Sequence, residues 1–261
     1  MLDRINGRNV DLFIFQFGCG GVGSWLAHFM GKFLHSISER YDVYTNLRID
    51  YTIIDDDIVE ERNILRQNFF KFNIGDYKCN AIFKLINTSL IQNKLTFIRK
   101  RIQTPKKVYE ILTRAIDDIS VTFTSIQEKI WIILGCVDNI KTRRSIYSAI
   151  KKFIKQQNYS TIIYIDGGNE IQHGQVITTF MTNSSWFPTV IRNWNLLDKP
   201  LNIHKLFPPN SENVQPQQTC AFFGDQSMGI NLKVATEMFA NVQRILIDSI
   251  IPTPLIKHLI L

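Results

Sequence analysis

The sequence predicts an α/β protein built on a mostly parallel, doubly wound sheet, with an irregular crossover region after residue 182. Three observations predict it. Short apolar runs bounded by turn residues alternate with segments whose apolar positions recur every three or four residues. A glycine-rich loop joins the first run to the first such segment. The 261 residues, with 45% hydrophobic content, suffice to bury one large core, so a single unit over 1–261 is expected. Alternation of this kind places helices on both faces of parallel strands.

The elements follow in order. The Phe- and Ile-rich run from Val10 to Phe17 reads as a buried strand near 11–17. Ser24 is then expected to cap a helix over 24–37, through Trp25, Leu26, Phe29, Met30, Phe33 and Leu34. A second strand, near 51–55, ends at Asp55. Further strands are expected near 95–99, 130–136, 161–165 and 174–181, with helices near 77–92, 105–117, 141–156 and 231–249. Beyond 182 the pattern degrades. Trp186, Trp194 and the proline-bearing stretch to Gln218 read as a long loop, either a strap over a bound nucleotide or a surface insertion.

The loop reads Gly18-Cys19-Gly20-Gly21-Val22-Gly23-Ser24. Between a strand and a helix, glycines let the backbone turn tightly and approach a ligand, and the helix amino terminus offers N–H groups to a phosphate. Asp55, at the carboxyl end of the second strand, is placed to accept from ribose hydroxyls. In dinucleotide-binding enzymes that acid follows the glycines by about 20 residues; here it lies 32 residues past Gly23, beyond a polar stretch from Ser36 to Asp50. Hydride transfer also has no use for Arg66, Gln67 and Lys78 just downstream. Cations there suit a triphosphate.

These blocks together resemble the ThiF/MoeB family of adenylating enzymes, relatives of the ubiquitin-activating enzymes. The resemblance runs through the glycine loop, Asp55-Asp56-Asp57-Ile58-Val59 with Asn63, Arg66 and Gln67, then Lys78, Gly135-Cys136-Val137-Asp138-Asn139 with Arg143, Asp166-Gly167-Gly168 and Gly174-Gln175-Val176. Thr219-Cys220-Ala221, Gln226-Ser227 and Ile230-Asn231 are similar to the ThiF-type proteins of bacterial PRTRC gene clusters. The resemblance implies a Rossmann-like fold and a nucleotide site of Gly18, Gly20, Gly21, Gly23, Asp55, Asp57, Asn63, Arg66, Gln67, Lys78 and Asn139. It implies that Asp55 holds the ATP ribose, that Asn63, Arg66 and Lys78 contact phosphates, and that Asp138 works with Mg²⁺ at the α-phosphate. A carboxylate attacking phosphorus must approach an anion, which makes chemical sense of Arg66, Lys78 and a metal. Arg62 stands where the family commonly has Ser, and Ile64 where it has Leu. Arg4 and Arg8 are the candidates for an arginine supplied across a homodimer, the assembly the resemblance implies.

The four cysteines, Cys19, Cys79, Cys136 and Cys220, include no Cys-x-x-Cys pair, so the zinc site of many relatives is not expected. Cys220 is the candidate for a transfer thiol, or else an incidental one, since no His stands close in sequence. The histidines lack metal-ligand spacing and read as structural. The net charge is +7, but the basic residues read as scattered, so nucleic acid is not the expected partner. Arg99-Lys100-Arg101 and Lys151-Lys152 are expected to face solvent or an acidic protein. Residues 10–34 are apolar but interrupted by glycines, Gln16 and Lys32, and the closing segment is too short for a bilayer, so a cytoplasmic chain without a membrane span is expected.

The sequence therefore points to an ATP-dependent adenylyltransferase. Its substrate would be a carboxylate, the carboxyl terminus of a small ubiquitin-like or sulfur-carrier protein or a peptide. The alternatives are a catalytically silent member of the fold that binds a partner and an NAD-dependent oxidoreductase.

Overall fold

The computed structural model describes residues 1–2, 9–41, 47–86, 94–117, 127–169, 173–192, 227–253 and 255–260. Its frame is a seven-stranded sheet in the order β3-β2-β1-β4-β5-β6-β7. The strands are β1 (Asn9–Phe17), β2 (Leu47–Ile54), β3 (Lys94–Ile98), β4 (Gln127–Gly135), β5 (Ser160–Asn169), β6 (His173–Thr182) and β7 (Ile256–Ile260). The first five are parallel to one another, while β6 pairs antiparallel with both β5 and the edge strand β7. This is the expected Rossmann-like doubly wound α/β fold.

The helices are α1 (Gly21–Tyr41), α2 (Lys78–Ile86), α3 (Pro105–Asp117), α4 (Ile140–Ile154), the short α5 (Phe187–Val190) and α6 (Met228–Gln243). Two apolar cores flank the sheet. One gathers Leu26, Met30 and Leu34 of α1 with Ile82 and Ile86 of α2 and Val234, Met238 and Val242 of α6. The other lies beneath α3 and α4 around Trp131, which stacks on Phe13 at 4.3 Å and meets Phe153 edge-on at 4.8 Å. Alternate residues of β1 explain the split: Leu12 and Ile14 face one core, Phe13 and Phe15 the other. Strand order reverses between β1 and β4, and a crevice opens at their carboxyl ends, where this class of sheet binds ligands.

Two local expectations are corrected. α1 begins at Gly21, so Ser24 is not its cap. The Ser24 hydroxyl lies within the first turn and accepts from the Asn68 amide at 2.9 Å. The expected helix over 231–249 starts earlier, capped by Ser227, whose hydroxyl accepts from the Ile230 amide at 3.3 Å. It ends earlier as well, in a π-type turn over Arg244–Asp248 that stops at Ser249 in the left-handed region (φ 56°). The closing segment forms β7, an edge strand. Among the described residues no helix is long and apolar enough to cross a membrane.

Candidate active site

The crevice between β1 and β4 is a cleft of about 600 Å³. Its floor is the glycine loop. Gly18 has φ +100°, and a Cβ there would lie 2.5 Å from the Cys136 carbonyl oxygen, so β1, β2 and β4 converge only around a glycine. Gly20 faces open space. Gly23 lies beneath the loop, where a Cβ would come within 2.1 Å of the Gly18 carbonyl; it is absent from the cleft lining, whereas Gly18, Gly20 and Gly21 are part of it. Buried Gln16 buckles the loop from below, donating to the carbonyls of Gly18 (3.0 Å) and Gly23 (2.8 Å) and accepting from Tyr51 Oη (2.6 Å).

Asp55 leaves the end of β2 beside this floor. One carboxylate oxygen accepts from the Cys19 amide at 2.6 Å, the other from the Asp57 amide at 2.7 Å. Burial pushes its carboxyl up to about 6, against the opposing pull of the Lys78 charge and of those two amide bonds. Lys78, buried at the start of α2, meets Asp57 at 2.9 Å. The carboxylates of Asp55, Asp56 and Asp57 lie within 4.8 Å of one another.

The segment after β2 returns to the cleft through two tight turns. Asn63 is buried, and its side-chain oxygen accepts from the Glu60 amide at 2.8 Å; its carbonyl accepts from the amides of Arg66 and Gln67. Arg66 and Gln67 thereby line the cleft. Gln67 is only 6% exposed, and its side-chain oxygen has no hydrogen-bond partner. A buried orphan acceptor is costly, and a ligand donor reaching it would remove the cost.

Across the cleft, Asp138 and Asn139 follow β4. Asp138 is exposed at the rim and accepts from the Asn139 amide group at 3.1 Å, while the Asn139 oxygen caps α4 by accepting from the Thr142 amide at 2.8 Å. Arg143, one turn into α4, forms a buried ion pair with Asp166 and donates to the Val137 and Gly167 carbonyls. Tyr164 Oη completes the shell of Asp166 at 2.6 Å. This brace ties the loop bearing Asp138 to the end of β5.

Every expected nucleotide residue except Gly23 thus lines one cleft, as does Asp138. The sequence reading missed several others. Lys100 and Arg101, expected at the surface, belong to the cleft wall with Gln103 and Thr104. They are fastened there by α4: Thr142 Oγ1 donates to the Ile102 carbonyl (3.2 Å) and Ser145 Oγ to the Gln103 carbonyl (3.4 Å). Asn231 of α6 is fully buried, donates to the Arg66 carbonyl at 2.9 Å and accepts from Asn169, which also lines the cleft. Cys19 and Cys136 are buried thiols, and burial pushes Cys136 up to about 12, so neither is a thiolate at neutral pH. Cys220, Arg4 and Arg8 lie outside the described residues.

A ThiF family model matches residues 9–222. No curated protein matches the chain in sequence. Among solved structures, PaaA superposes with a TM-score of 0.55 at 16% identity, covering 95% of this chain and 60% of PaaA. MccB of E. coli, solved with succinimide, gives a TM-score of 0.57 at 15% identity over 100% of this chain and 62% of MccB. MccB solved with AMPCPP and MccA gives 0.52 at 15% identity, over 97% and 59%. The chain therefore spans about three fifths of the length of these structural relatives, which share its sheet. With the match over residues 9–222 and this common architecture, the chain belongs to the ThiF family.

Proposed function

We propose that the protein is an ATP-dependent adenylyltransferase that activates a carboxylate, the end of a small protein or peptide, as an acyl adenylate. The observation that carries this reading is convergence. Asp55, Asn63, Arg66, Gln67, Lys78 and Asp138 are spread over 84 positions of sequence and line one cleft above the glycine loop. In the reaction a carboxylate oxygen bonds to the α-phosphorus, the bond to the bridging oxygen breaks, and pyrophosphate leaves with that electron pair. Arg66 and Lys78 neutralise the charge that grows on the leaving group, and removing one such group costs about 10²–10³ in rate. Asp55 accepts from the ribose, and Gln67 lines the same wall, its unsatisfied side-chain oxygen buried behind it. The open face of Gly20 leaves room for a phosphate against the start of α1.

The donor set also fits magnesium, a hard cation that takes one or two carboxylates together with substrate phosphates. Asp138 at the rim, and the carboxylates of Asp55–Asp57 opposite, are the residues that would hold it. When bound, the ion supplies charge neutralisation at the phosphate oxygens. MccB, whose structure holds AMPCPP and MccA, lends support through its shared fold.

The second part of this reading is a homodimer. Leu65 (85% exposed) and Phe72 (80%) stand out with Phe70 and Ile74, and the Phe70 and Phe72 rings stack at 5.4 Å. This apolar patch adjoins the cleft through Arg66, and its charges are balanced between Glu60, Glu61 and Asp76 and Arg62, Arg66 and Lys71. An exposed apolar patch with balanced charge is suited to meet its own copy across a two-fold axis without like-charge repulsion.

Titration calorimetry tests the nucleotide assignment. Mg²⁺-dependent ATP binding without comparable NAD binding is expected; tight NAD binding with no ATP heat would overturn it.

A further inference from the structure

Although most of the basic residues are scattered as expected, part of the positive charge is concentrated on one layer. α3, α4 and the Lys155 that closes α4 carry nine of the chain's thirty Lys and Arg residues but two of its twenty-three acids, and α4 itself has none. Lys141, Arg144, Lys151 and Lys155 recur at helical spacing and so form one stripe along the outside of α4. Arg143 is turned inward to Asp166. Lys106 and Arg114 extend the exposed charge onto α3, and Glu110 is met by Lys100 at 3.7 Å.

The helix dipole accounts for Arg114, Lys151, Lys152 and Lys155, which stand in the last turns or at the C-cap, but not for the cations at the other ends. Lys106, Lys107 and Lys141 occupy the first turns of their helices, where the dipole favours acids over cations. The stripe begins at the cleft, since Lys100, Arg101 and Lys141 line it. It then runs the length of α4, about 22 Å at the usual helical rise.

We infer that the outer face of α3 and α4 is the docking surface for an acidic polypeptide, the body of the molecule whose carboxyl group enters the cleft. The inference rests on the adenylation reading and deepens it by naming the substrate class. Charge complementarity selects the occupant. A second copy of this chain would set like charges against each other. Among the described residues of α3 and α4, bases of a single-stranded nucleic acid find no open stacking platform, because Tyr147 is buried with Lys151 over its ring (5.9 Å) and Lys152 lies over the Tyr109 ring (5.0 Å). An acidic body would be steered to the face and its terminus delivered to the cleft mouth.

Three labelled peptides with one common carboxyl-terminal segment and acidic, neutral or basic bodies, together with a labelled 20-nucleotide RNA, test this by fluorescence anisotropy on the full chain. The acidic peptide should bind about tenfold or more tighter than the neutral one at low salt, with the difference lost at high salt. Lys151→Glu/Lys155→Glu, remote from the cleft, should abolish the preference while leaving ATP binding unchanged, and Lys151→Gln/Lys155→Gln should weaken it with less strain on the helix end. Equal binding of the three peptides, or RNA bound more tightly than the acidic peptide, would overturn the inference. Failure of ATP binding with the acidic preference intact would overturn the adenylation reading and leave the docking face standing.

Discussion

Arg143→Met is the perturbation whose cost the structure defines best. Asp166 is fully buried and depends on Arg143 for its counter-charge; Tyr164 Oη is the other donor described at that carboxylate. Removing one partner of a buried ion pair leaves a charge without compensation and costs about 3–5 kcal/mol. In a chain of this size each kcal/mol lowers the melting temperature by roughly 2–4 °C, so a loss of about 6–20 °C is expected. Urea denaturation should show a lower midpoint at unchanged m-value. The paired variant Arg143→Met/Asp166→Asn removes the stranded charge and should recover a substantial part of the loss, a coupling that a double-mutant cycle reads directly. Because Arg143 also holds the Val137 and Gly167 carbonyls, the single variant should weaken ATP binding even where it stays folded. A destabilisation below about 1 kcal/mol, or a double variant no better than the single, would refute the brace.

Two further outcomes follow from the same geometry. The Asp55 carboxyl is raised above its ordinary value to about 6. The folded state therefore holds that proton more tightly than the unfolded one, so stability from this group increases as pH falls from about 6 towards 4. ATP affinity moves the other way if the ribose needs the carboxylate. Between pH 7 and 5 it should fall about tenfold relative to Asp55→Asn, and parallel pH slopes in the two proteins would remove Asp55 from the nucleotide site. On the apolar patch, Leu65→Asp/Phe72→Asp should convert a sedimenting dimer to a monomer at micromolar concentration; a wild-type protein that already sediments as a monomer with full activity would dismiss the dimer.

The sheet and the phosphate side of the cleft were legible because their signals are local. β1, the glycine turn and α1 are contiguous, and Asp55 to Lys78 lie within one connection. The far wall was not. Lys100 and Arg101 reach the cleft only because the chain crosses the sheet from β3 to β4, which sets residues 102 and 103 against Thr142 and Ser145. Nothing near Lys100 in sequence announces that contact. Asn231 is 165 positions from Arg66, and its buried bond appears only once α6 packs on α1. Ser24 misled for a physical reason: a hydroxyl before a helical pattern is a sound cap signal, but the chain enters α1 three residues earlier, with the Ser24 amide donating to Gly20. β7 was missed because Ile256–Ile260 is short and lies between Pro254 and the chain end, so its strand character comes from pairing with β6.

Incorporation of labelled pyrophosphate into ATP tests the central claim most directly, measured with Mg²⁺ and the acidic-bodied peptide for the wild type and for Asp138→Ala. Adenylation predicts carboxylate-dependent exchange in the wild type and a loss of at least about 10²-fold in Asp138→Ala with its fold intact. Normal exchange by Asp138→Ala would contradict the role given to the cleft rim, and a wild type that binds both ATP and the peptide yet exchanges no pyrophosphate would contradict adenylation itself.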